Sequence, residues 1–210
     1  MKEKNKYIKK EIKEALENLK VQTKEKEKKN KVLPDFKWII TILIMSFSIS
    51  LFFSFVSESV LPNVHVVVGI IVVILFIVLG ILFDMIGVAV TSADEKPFHS
   101  MNSRKVPGAD VAVKFKKNAA KVSSFCNDVI GDICGIVSGS AGAMIALSVA
   151  NSLGVNKFVI SLLVTSLIAA LTITGKAIGK SFAINKSNII LYEFSKTVSH
   201  FYKPKKHNNK

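Results

Sequence analysis

Cysteine is scarce in this chain. The 2 among 210 residues, Cys126 and Cys134, carry no CxxC spacing and no histidine beside them. That argues against a zinc site and against a disulfide framework, and leaves two small residues buried in an apolar helix. Histidine is nearly as rare, and His65, His99, His200 and His207 all fall in polar loops or tails, so a Ser/His/Asp arrangement has nowhere to form. A phosphate loop is missing too. Gly179-Lys180-Ser181 ends like one, but Thr174 stands where the earlier glycine belongs. Enzyme activity is therefore not expected. The most informative absence is charge, which disappears from several long stretches although the chain as a whole carries a formal +14. It is 50% hydrophobic with a mean hydropathy of +0.40. Apolar runs with basic flanks are the membrane-protein combination. A nucleic-acid binder shares the basic excess but not uncharged apolar runs of about 18 residues or more, so no nucleic-acid partner is expected.

What remains is an all-α membrane protein with four transmembrane helices. Residues 1–33 form a basic arm, with Ile8, Ile12, Leu16 and Leu19 as a narrow apolar stripe. The arm either sets topology as a solubilising tail or is drawn to anionic lipid headgroups. Its length and charge, with no small-residue cleavage site after the first apolar run, argue against a signal peptide. Residues 34–64 hold a first span, Trp38–Val56, introduced by the interfacial Phe36-Lys37-Trp38, and a short loop with Pro62. With serines as its only polar groups, this span is expected to be peripheral and to face lipid. Residues 65–184 form the core, with spans at Val66–Val90, Val122–Ala150 and Phe158–Ile173, where Gly175 to Lys180 is read as interrupting the last. Between the second and third spans, Asp94 to Lys121 is a basic loop with a turn at Pro107-Gly108 joining two short helices, the second at Asp110–Lys121. Residues 185–210 are a basic tail, and Ile184 onward fits an amphipathic helix lying in the interface. Lys and Arg concentrate in the arm, the central loop and the tail, which predicts that both termini and the pair of short juxtamembrane helices are cytosolic, in the cell membrane.

The third span organises the rest. Gly131, Gly135 and Gly139 recur every fourth residue, and Ser138 and Gly142 form a second small row beside them. Each interior glycine costs a water-soluble helix about 1 kcal/mol relative to alanine. In a bilayer small residues let backbones approach closely. Asp128 and Asp132 lie one turn apart on this helix, and Asp84 lies between Gly80 and Gly87 in the second span. A lone ionised carboxylate in a membrane costs several kcal/mol, so each must pair, protonate or bind a cation. Lys176 and, nearer the interface, Lys180 complete the intramembrane ionisable set. Carboxylates with nearby hydroxyl and amide oxygens, such as Asn127, are hard ligands suited to Mg²⁺. Equally, Asp84, Asp128 or Asp132 could form an ion pair with Lys176.

Three segments also resemble, in order, the transmembrane domain of the cyclin-M (CNNM)/CorB–CorC family of divalent-cation transporters. They are Phe83-Asp84-Met85-Ile86-Gly87-Val88-Ala89-Val90-Thr91-Ser92-Ala93, Phe125-Cys126-Asn127-Asp128-Val129-Ile130-Gly131-Asp132-Ile133 and Thr174-Gly175-Lys176-Ala177-Ile178-Gly179-Lys180-Ser181-Phe182-Ala183. The resemblance covers residues 66 to 184 and implies a three-helix core, a homodimer and transport of Mg²⁺ or another divalent cation, with ligands at Asp84, Thr91 or Ser92, and Asp128. The departures are specific. Lys176 stands at the family's glutamate position, Gly179 at its proline and Asp84 at a serine, and Asp128 and Asp132 replace asparagines. Lysine in place of a carboxylate raises the alternative of a non-transporting scaffold or partner subunit, in which a Lys–Asp pair substitutes for the metal.

Overall fold

The structure, a computed structural model, describes residues 36–60 and 65–201 together with Glu17. The expectations for the basic arm, for Pro62 and for residues 202–210 lie outside the described residues. The helices are α1 (Phe36–Val60), α2 (Val66–Ser92), α3 (Glu95–Ser103), α4 (Ala109–Lys117), α5 (Ala119–Leu153), α6 (Lys157–Asn185) and α7 (Ser187–Phe201). Four of them, α1, α2, α5 and α6, are long and apolar enough to cross a membrane. The described residues are thus all-helical, and their four apolar helices are consistent with a multi-pass membrane protein.

Contacts divide the chain into residues 1–41 and 42–210, and the second unit contains all that follows. Its centre is α5. Of the most apolar window of each span, 44% is buried in α5, 22% in α2, 11% in α6 and 0% in α1. The α2, α5 and α6 helices pack mutually, as small residues allow. A Cβ at Gly80 on α2 would lie 3.1 Å from Cys134 Cβ and 3.3 Å from the Gly131 carbonyl oxygen of α5. Further along, Val73, Ile77, Ala141 and Ile168 join the three helices in one apolar cluster. From Ile42 on, α1 lies at the edge, with Ile49 and Phe53 packed on Val129, Ile133 and Val137, and Phe53 edge-on to Phe76. This is the peripheral position expected of it.

The last span departs from expectation. Instead of ending at Ile173, α6 continues unbroken through Gly175, Lys176, Gly179 and Lys180 to Asn185. The two glycines are contact points and not breaks. A Cβ at Gly175 would meet Ile81 Cδ1, and one at Gly179 would lie 2.8 Å from Met85 Cγ. The small rows of α5 also divide. Gly131 is buried against Gly80, whereas nothing lies within 4 Å of a Cβ at Gly135 or Gly139. The π-helical turn over Phe125–Gly131 ends at the first of these glycines, and in the regular helix beyond it each four-residue step drifts by about 40°, which carries Gly135 and Gly139 away from Gly80.

Two short helices fill the loop between the second and third spans, as Pro107-Gly108 suggests. The second ends at Lys117, where Asn118 breaks it from α5, so it is shorter than the Asp110–Lys121 reading. Gly108 enters it at φ +82°, a left-handed turn that glycine makes at little cost. The α7 helix packs one face against the rest of the protein. Its Leu191 is fully buried against Phe98, Ala112, Val113 and the α2 end residues Val90 and Ala93, and its Asn188 side chain accepts a 2.9 Å bond from the Asp94 amide. Lys116 on α4 reaches the end of α2 and donates to the carbonyl oxygens of Val90 (3.1 Å) and Thr91 (2.8 Å). These belong to the last turn, which lacks intrahelical donors and carries the negative end of the helix dipole. Lys116→Met is therefore expected to lower stability by about 1.5–3 kcal/mol, the range for charge-assisted bonds, in SDS titration of the micellar protein.

Candidate functional site

Asp84, Lys176 and Lys180 lie where α2, the π turn of α5 and the second half of α6 come together. Asp84 is eight residues, about 12 Å, from the end of α2. Its side chain is 5% exposed, and the Lys180 ammonium lies 3.6 Å from its Oδ2. That distance allows charge attraction but is long for a hydrogen bond, and Oδ2 has no hydrogen-bond partner. One turn earlier on α6, Lys176 runs past Gly131, its Nζ 3.8 Å from where a Cβ there would stand, and donates a 3.0 Å bond to Asp132 Oδ1. The spacing of four between Lys176 and Lys180 puts both ammonium groups on one face of α6, so each lysine takes one carboxylate.

Asn127 sits in the π turn with its side chain filling the space that Gly87 leaves. A Cβ at Gly87 would overlap Asn127 Oδ1. The Asn127 amide nitrogen contacts Ser123 Oγ at 3.5 Å, while its Oδ1 is buried without a donor. Gly87 lies one turn beyond Asp84 on the same side of α2, where such neighbours have Cβ positions about 5–6 Å apart. Two buried acceptor oxygens without hydrogen-bond partners, from Asp84 and Asn127, therefore lie within one turn of each other.

The other candidates are placed differently. Asp128 is exposed, and the Asp132 side chain is 64% exposed. They share a face, as their spacing predicts, but it is the outward face of α5 that also carries Gly135 and Gly139. The three carboxylates thus do not converge, with Asp84 inside the bundle and Asp128 and Asp132 on its flank. Thr91 is exposed and its hydroxyl bonds to carbonyls of its own helix, Val88 at 2.9 Å and Gly87 at 3.4 Å. Ser92 is exposed at the end of α2. Cys126 and Cys134 are free and buried, as small packing residues. Among the described residues no three His, Cys, Asp or Glu side chains cluster as a metal site requires.

A divalent cation fits this donor set only in part. Asp84 and Asn127 offer hard oxygens, but Lys176 and Lys180 already cancel the charges of Asp132 and Asp84. Sequence reasoning missed the role of Lys180, although its i, i+4 relation to Lys176 was the available signal. Compared with family models, curated proteins and solved structures, the chain gives no match.

Proposed function

We propose that this chain is a non-transporting membrane scaffold or partner subunit whose intramembrane lysines stand where a transporter would hold its metal. One observation carries this reading. Lys176 and Lys180 of α6 each face a carboxylate of another helix, Lys176 with Asp132 at 3.0 Å and Lys180 with Asp84 at 3.6 Å. The four charges sum to zero, so an added divalent cation would leave two uncompensated positive charges in a medium that penalises each one.

A scaffold needs something to hold, and the outward face of α5 supports a second copy of this chain. Asp128 and Asp132 cannot face hydrocarbon at low cost, and the open Gly135 and Gly139 positions suit close helix approach. A homodimer would cover both. Both termini on the cytosolic side of the cell membrane belong to the same reading, since Lys and Arg gather in the arm, the 94–121 segment and the tail.

A second reading, binding or transport of Mg²⁺ or a similar divalent cation, is favoured by the two unpartnered oxygens, Asp84 Oδ2 and Asn127 Oδ1. Here Lys180, half exposed, would swing away to admit the ion. Mg²⁺ and Co²⁺ uptake into proteoliposomes separates the two. The scaffold reading expects wild type, Asp84→Asn and Asn127→Leu all to match protein-free vesicles. Uptake in wild type that falls at least tenfold in both variants would establish the cation reading instead.

A further inference from the structure

The bundle holds a second feature, whose inner end at Ile77 and Leu171 lies about one to two turns of helix from Asp84 and Lys176. At the end formed by the start of α2, the end of α5 and the start of α6, the three helices part around a cavity of about 240 Å³. Its walls are branched aliphatic side chains, among them Ile70, Val73, Ile77, Ile145 and Val164. The rim residues Ile74 and Leu167 are 54% and 60% exposed, so the cavity opens sideways. A cavity lined this way does not hold water stably. In a bilayer the material at its mouth is hydrocarbon. A methylene takes up about as much room as a water in the liquid, about 30 Å³, so the cavity admits about eight of them. Ile70 to Ile77 spans seven residues, about 10 Å along the helix, which suits a chain segment of that length.

The mouth is marked by charge. In the stretches 66–83 and 133–175 the sequence contains a single charged residue, Lys157. It opens α6 and lies 7, 11 and 14 residues before Val164, Ile168 and Leu171, all of which line the cavity. At 100° per residue these four positions share one face of the helix. Lys157 therefore stands about 10 Å above the cavity wall at Val164, on the same stripe and at headgroup depth.

We infer that this groove is a binding site for an anionic phospholipid, one acyl chain lying between α2 and α6 and the phosphate meeting Lys157. The inference stands apart from the Lys–Asp pairs and holds under either reading of them. The test uses the full-length protein in phosphatidylcholine nanodiscs doped with phosphatidylglycerol carrying a diazirine on one acyl chain. After irradiation, mass spectrometry maps the adducts. Adducts should concentrate on residues 70–77 and 164–171. Val164→Phe, which fills the cavity, and Leu171→Phe at its edge should each reduce them, with helix content checked by circular dichroism. Lys157→Ala should cut them about fivefold, to the level of a diazirine phosphatidylcholine, while leaving the fold intact. Adducts as dense on the exposed face of α1 as in the groove, or unchanged in all three variants, would mean ordinary boundary lipid and overturn the proposal. Equal labelling by the two lipids in wild type would overturn the headgroup assignment. Disulfide formation between two copies of a Leu167→Cys variant on mild oxidation would give the groove to a second chain and overturn the proposal.

Discussion

Gly108→Ala is expected to release α7 from the body of the protein. At φ +82° an alanine costs about 1–2 kcal/mol by itself. The larger part comes from the neighbour, because the added Cβ would lie 2.7 Å from Cα and 2.9 Å from N of Lys196, both backbone atoms of α7. Backbone cannot swing aside as a side-chain tip does, so α7 must back away. Leu191, fully buried under Val90, Phe98 and Val113, goes with it, and exposing such a residue adds about 2–5 kcal/mol. Hydrogen exchange should show the amides of Ser187–Phe201 losing most of their protection. Gly154→Ala supplies the control. Its φ is +65°, but nothing lies within 4 Å of the new atom, so only the conformational part should appear. Equal effects at the two glycines would refute the contact between α4 and α7.

Lys176→Met is expected to have the next largest effect. The methionine keeps the packing past Gly131 but strands the Asp132 carboxylate, whose 3.0 Å partner it removes. Asp132 lies in the long span Ala119–Leu153, where an unpaired acid costs about 2.5–3.5 kcal/mol on insertion scales. Adding Asp132→Leu should recover most of that loss. The double-mutant cycle, read from SDS unfolding in mixed micelles, should then give a coupling well above the few tenths expected of independent sites. Additive losses would show that the two side chains do not support one another. A second copy covering the outward face of α5 would raise the coupling, because the pair would then be shielded from headgroups and water.

Much of this architecture could be read from residue order. Span number follows from uncharged length, which needs no tertiary information. Pro107-Gly108 announces its turn because few residues tolerate that backbone. The continuation of α6 was hidden for the same reason. Gly175 and Gly179 look like punctuation until Ile81 and Met85 are seen lying against them. The acids were legible as a set but not as an arrangement. Four-residue spacing correctly puts Asp128 with Asp132, yet nothing local states that their shared face turns outward while Asp84 turns in. Nor does any run of residue types announce the π turn, which sets Asn127 against Gly87 and Gly131 against Gly80.

That turn has an evolutionary corollary. A helix with one surplus residue at Phe125–Gly131 is one deletion away from an ordinary helix, and because the wide turn holds that residue, such a deletion keeps the faces on either side in register. Loss of one codon between residues 125 and 131 therefore leaves Asp132 on the flank, whereas the same loss further along α5 rotates all that follows by about 100°. Lineages can thus differ in length at this turn while that acid keeps its direction.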